Sequence, residues 1–139
     1  MDMEALTLLA EGVAFVSTLV LSPMLDETKK KLVTKVGEQL ATGILGQGNK
    51  VLALIKSKFP DKGSKLDKAA EKPQDYIEAD IIKDITEVAN SDDEIKQAIA
   101  DLGKMIQENS EAKQIIENWK GINIKGGVNT IQNNTLTIN

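Results

Sequence analysis

A chain of 139 residues with 41% hydrophobic content is long enough to bury a core, and with only 3% aromatics that core must be built from Leu, Ile, Val and Ala. It contains neither His nor Cys, which excludes Ser-His-Asp and Cys-His catalysis, disulfides and a His- or Cys-based zinc site. All 17 basic residues are Lys and the net charge is -4. That argues against nucleic acid as a partner, because Arg's planar fork is the preferred tool for phosphates and base edges.

Carboxylates remain, but none sits in a recognisable catalytic pairing, so the expectation is a non-enzyme without a cofactor. Asp2 and Glu4 stand where a secretory leader needs positive charge, which points to a cytoplasmic protein.

Residues 5–25 are the most apolar stretch, and Glu11 is the only charge in it. Up to Pro23, which stops it, the run reads as a helix apolar on almost every face. Such a helix belongs in a core or in a bilayer. About 20 apolar residues span a bilayer, and this run is close to that length. It is therefore either the central helix of a bundle or central at rest and membrane-seeking later. On the second reading the membrane-insertion candidates are Leu6, Leu9, Val13, Phe15, Val16, Leu19 and Val20.

Asp26 can cap a second helix, with Glu27 in its first turn. Leu32, Val36, Leu40 and Ile44 form one apolar stripe. Gly37, Gly43, Gly46 and Gly48 interrupt it, which implies close packing against the first helix or a bend at 46–49. The stripe resumes at Val51, Leu52, Ile55 and Phe59, and Pro60-Asp-Lys-Gly63 reads as a turn. Residues 64–71 allow a short polar helix at most. Lys29, Lys30, Lys31 and Lys35, just beyond the apolar helix, are lipid-headgroup candidates set against a plain solvated face.

Pro73 then opens a helix with Ile77, Ile81, Ile85 and Val88 inward. Ser91 and Glu94 spell a capping box for the next, whose buried face is Ile95, Ile99, Leu102 and Ile106. Ser110 caps a short helix carrying Ile115, Ile116 and Trp119, and Gly121 stops it. Charge is unevenly spread along these elements: net -3 over 1–25, +5 over 26–72 and -7 over 73–120. A basic middle and an acidic third quarter suggest that the two pack side by side.

At Gly121 the period changes. Ile122 and Ile124 alternate with polar residues, as do Leu136 and Ile138, and Gly126-Gly127 and Asn133-Asn134 are turn dipeptides. Three short strands are expected near 121–125, 128–132 and 135–138. Alone they bury too little to be stable, so they need the bundle or copies of themselves. A nearly uncharged, Pro-free segment rich in Asn, Ile and Thr suits stacked cross-β pairing, against a disordered or capping tail. The self-assembly candidates are Ile122, Ile124, Val128, Ile131, Gln132, Asn133, Asn134, Leu136 and Ile138.

The fold expectation is thus an all-α helical bundle over 1–120, with a short β-forming tail over 121–139 used for self-assembly. This layout resembles the Bell-type helical domains of bacterial amyloid-signalling proteins, which are considered analogous to the fungal HeLo cell-death domain. Gly126, Gly127, Asn129, Ile131, Gln132, Asn133 and Asn134 look like the tail motif of such proteins. Ile131-Gln132 is also similar to the Ile-Gln core of the RIP homotypic interaction motif, with Asn134 where that motif has glycine. The resemblance implies a cell-death or immune effector that acts at membranes once its tail is templated by a matching motif on a sensor protein. The implied partners are copies of the chain, as an oligomer or filament, such a sensor, and membrane lipid on activation. A self-assembling scaffold or adaptor that never touches lipid shares every feature except the use of residues 5–25.

Overall fold

The computed structural model describes residues 3–22 and 26–120, with side chains from Thr7 onward. Every element among the described residues is helical: α1 (Met3–Leu21), α2 (Asp26–Val36), α3 (Glu38–Lys58), α4 (Pro60–Glu71), a 3₁₀ turn (Pro73–Asp75), α5 (Glu78–Ser91), α6 (Asp93–Gln107) and α7 (residues 110–120). The three expected strands, the stop at Gly121, Pro23 and the side chain of Leu6 lie outside the described residues.

α1 is the hub. It lies most closely against α6 and also touches α3, α4 and α5. Val13, Phe15, Val16 and Val20 are buried within the common core, and Leu9, Leu19 and Leu21 pack against it. Each fully buried side chain of this size contributes about 1.5–3 kcal/mol of transfer free energy. The close approach to α6 is set by two glycines. A Cβ on Gly12 would stand 2.3 Å from the Ile99 carbonyl oxygen, and one on Gly103 would stand 2.0 Å from that of Leu8. Each helix therefore presses backbone against the glycine of the other.

The glycines of the second stripe do not bend the chain at 46–49; α3 runs unbroken through them. Gly48 instead faces α1, where a Cβ would meet Phe15 at 2.9 Å and Leu19 at 3.2 Å. Of the two uses expected of these glycines, close packing is the one found there. The break falls at Gly37, whose φ of +97° belongs to a region that glycine enters without steric penalty. It divides the expected stripe into α2 and α3.

Four further boundaries differ from the sequence reading. Pro60-Asp-Lys-Gly63 is not a turn but the first turn of α4, a helix of 12 residues with proline at its start. Proline's missing amide is no loss there. Leu66 and Ala69 are buried, and Gly63 seats α4 on α3, its virtual Cβ 2.7 Å from Lys56 Cα. Pro73 opens only a 3₁₀ turn; the chain is extended at Tyr76 and Ile77 before α5 begins at Glu78. Ser91 does not cap α6: it remains in α5, its hydroxyl donating to the Glu87 carbonyl at 2.9 Å, and Asp92 accepts the Ile95 amide at 2.9 Å. Likewise Asn109, not Ser110, caps α7 by accepting the Ala112 amide at 2.9 Å. At both breaks the residue with a β-region backbone or a free carbonyl side chain outcompetes a serine one position away.

Candidate functional site

The basic and acidic thirds do pack together. Lys58 at the end of α3 pairs with Asp92 at 3.1 Å and Glu94 at 2.7 Å. In α4, Lys62 reaches Asp84 and Glu87 of α5, each at 3.0 Å. Lys65 stands 2.7 Å from the other oxygen of Asp84, as an ion pair off the hydrogen-bond direction. Burial pulls the Asp84 carboxyl upward, but Lys65 and Lys62 outweigh it and hold it below the ordinary value. The Ile95 amide, with help from Lys58, does the same for Asp92. The hydrogen bonds that Lys58 donates to Glu94 and Asp92 raise its pKa, and those that Lys62 donates to Asp84 and Glu87 raise that of Lys62. These lysines thereby link α3 and α4 to α5 and α6 at the surface.

α1 carries polar groups into the core. The only charge of the apolar run, Glu11, accepts from Gln107 of α6 and from Lys120 of α7, both at 3.1 Å. The Glu11 and Lys120 side chains are each 8% exposed, and Lys120 also reaches Glu117 at 3.3 Å. Beside them the Phe15 and Trp119 rings tilt together with centroids 5.4 Å apart. Ala112 and Ile116 complete the buried face of α7. One turn further along α1, Thr18 donates to Glu78 of α5 at 3.1 Å. Burial raises the Glu78 carboxyl above its ordinary value, against the smaller opposing pulls of Thr18 and Lys120. Ser17 is fully buried, and its hydroxyl has no hydrogen-bond partner among the described residues.

The membrane-insertion candidates therefore sit together: Val13, Phe15, Val16 and Val20 are buried, and Leu9 and Leu19 are half-buried against the core. Among the described residues no helix is long and apolar enough to cross a membrane, and the side chains of α1 are described only from Thr7 onward. Lys29, Lys30, Lys31 and Lys35 lie on α2, all exposed. The self-assembly candidates from Ile122 to Ile138 lie outside the described residues.

Sequence reasoning missed Lys120 and Gln107 as partners of Glu11, and Thr18 as a partner of Glu78. One signal was available: a lone carboxylate in an apolar run requires a counter-charge if it is buried. Nothing in the sequence says which of many lysines supplies it. Comparison with known protein families, curated proteins and solved structures finds no match.

Proposed function

We propose that the chain is a non-enzymatic, membrane-acting cell-death or immune effector, stored as a closed helical bundle and switched on by self-assembly through residues 121–139. The observation that carries this reading is the position of α1: the most apolar segment is the hub of the bundle, yet its burial is burdened by polar groups. Glu11 needs two partners, Ser17 has none, and Glu78 is pushed toward its neutral form by burial. A buried, unpaired hydroxyl costs about 1–3 kcal/mol, so α1 is held less firmly than its hydrophobicity suggests. A bilayer interface offers its apolar side chains a comparable environment and lets Glu11 stay hydrated. The action proposed is disruption by many assembled copies. Dye release from liposomes tests it. Assembled protein releases dye, and Val16→Asp abolishes both release and cell toxicity; assembled protein that releases none overturns the reading.

A second reading is favoured by the burial of Val13, Phe15, Val16 and Val20 in the common core: a self-assembling scaffold or adaptor whose α1 never leaves the core. It requires the α1 amides to stay protected from hydrogen exchange in assembled, lipid-exposed protein. Rapid exchange there rejects it.

A further inference from the structure

α2 is lightly attached to the bundle and carries a dense run of exposed lysines. It rests on α3 alone among its closer neighbours, Leu32 is its only buried residue, and it ends at the positive-φ glycine Gly37. Its two acids, Asp26 and Glu27, occupy the first turn, where they complement the helix dipole. The following turns are purely cationic: Lys29, Lys30, Lys31 and Lys35 are exposed, and among the described residues none of them forms an ion pair. The lysines at the α3–α4 junction, by contrast, are taken up by the acids of α5 and α6. Among those cations stands Val33, 39% exposed and one of two large hydrophobics so placed in the described residues. By helical spacing Val33 adjoins Lys29 and Lys30 at one edge of the exposed face, Lys31 and Lys35 pair along its other edge, and Glu27 precedes Lys30 and Lys31 by one turn.

We propose that this face of α2 is a peripheral docking surface for anionic lipid, used by the closed bundle before any tail assembly. The chemistry favours a lipid surface over an acidic protein or nucleic acid. Lysine ammoniums on flexible stems suit a fluid array of phosphates, and an exposed valine beside Lys29 and Lys30 gains by entering the headgroup region. Without Arg, bidentate recognition of one particular carboxylate or phosphate is missing. The acidic segment 73–120, at net -7, is repelled by an anionic membrane, which turns the basic part that includes α2 toward it. Since α2 follows α1, docking brings the C-terminal end of α1 to the lipid. The inference deepens the membrane-acting reading and rests on it.

The test uses the full-length, unassembled protein and co-sedimentation with vesicles of phosphatidylcholine alone or mixed with phosphatidylserine. Binding is expected only to the anionic vesicles, without dye release, and it falls as salt is raised from about 0.1 to about 0.5 M. The triple variant Lys30→Gln, Lys31→Gln, Lys35→Gln lowers the partition coefficient by about 150-fold, at about fivefold per lysine. A triple with the same charge change elsewhere, Lys83→Gln, Lys104→Gln, Lys113→Gln, changes it by less than about fivefold. Val33→Ser removes the binding that survives high salt. Equal binding to neutral vesicles, equal loss in both triples, or preferential binding to a DNA duplex or to polyglutamate overturns the docking surface. Assembled protein that releases dye while the unassembled protein binds no vesicle overturns the docking surface alone. Binding without release by assembled protein overturns the effector reading alone.

Discussion

At the scale of single residues, the contact between α1 and α6 rests on Gly12 and Gly103. The atoms that an added methyl would strike are backbone carbonyls, which cannot swing aside as a side-chain end can. Gly103→Ala is therefore expected to destabilise the bundle by about 3 kcal/mol or more, at the upper end of overpacking effects. Gly46→Ala, in α3 with nothing within 4 Å, is expected to add about 0.5–1 kcal/mol of stability. Urea midpoints of the two variants check both signs. The buried pair gives an asymmetric prediction. Lys120→Met leaves Glu11 buried with Gln107 alone and costs about 3–5 kcal/mol. Glu11→Gln leaves Lys120 with Glu117 and costs distinctly less. Equal costs contradict the geometry.

Two carboxylates oppose each other in pH dependence. Asp84, ordinarily at 3.8, is lowered in the fold, so its contribution is present above 3.8 and is lost as pH falls through the lower, folded value. Glu78, ordinarily at 4.5, is raised, so its contribution is complete below 4.5 and is lost as pH rises through the higher, folded value. Glu78→Gln should accordingly raise stability at neutral pH and flatten the profile above 4.5. Asp84→Asn should lower neutral stability and flatten the profile below 3.8. Thermal midpoints measured across pH resolve the two, and a Glu78→Gln variant less stable than its parent at pH 7 contradicts the burial argument.

At the scale of elements, most helices were legible because their apolar residues recur at helical spacing; α1, α5 and α6 lie where Val16, Ile85 and Ile99 placed them. The errors cluster where a local signal has two physical uses. Proline ends a helix or begins one, and at Pro60 it begins α4 because Leu66 and Ala69 have a core to enter. Glycine bends a helix or lets another approach, and which it does depends on a neighbour that the local sequence does not name. Caps were misplaced by one residue, Ser91 for Asp92 and Ser110 for Asn109, because Ser, Asp and Asn compete at adjacent positions. Asn109→Ala is expected to cost about 1 kcal/mol and Ser110→Ala almost nothing. Denaturant titration distinguishes them; the reverse order contradicts the observed cap. The candidate site was legible only in part. The apolar face of α1 and the lysines of α2 could be read from spacing, whereas the contacts Glu11–Lys120 and Thr18–Glu78 join residues distant in sequence.

At the scale of the molecule, the same surface chemistry divides the chain into parts with different tasks. Ion pairs between the basic and acidic thirds link α3 and α4 to α5 and α6 at the surface, the cationic face of α2 stays outside that exchange, and the period changes beyond Lys120. The proposal that residues 121–139 drive assembly, while the helices form a unit that folds without them, joins these parts into one account. It is tested most directly by the solution mass of the intact chain beside that of a chain ending at Lys120. The account predicts that the intact chain, once seeded with its own assembled form, passes to an oligomer or filament, while the shortened chain treated alike stays a helical monomer. The same oligomeric state for both would contradict it.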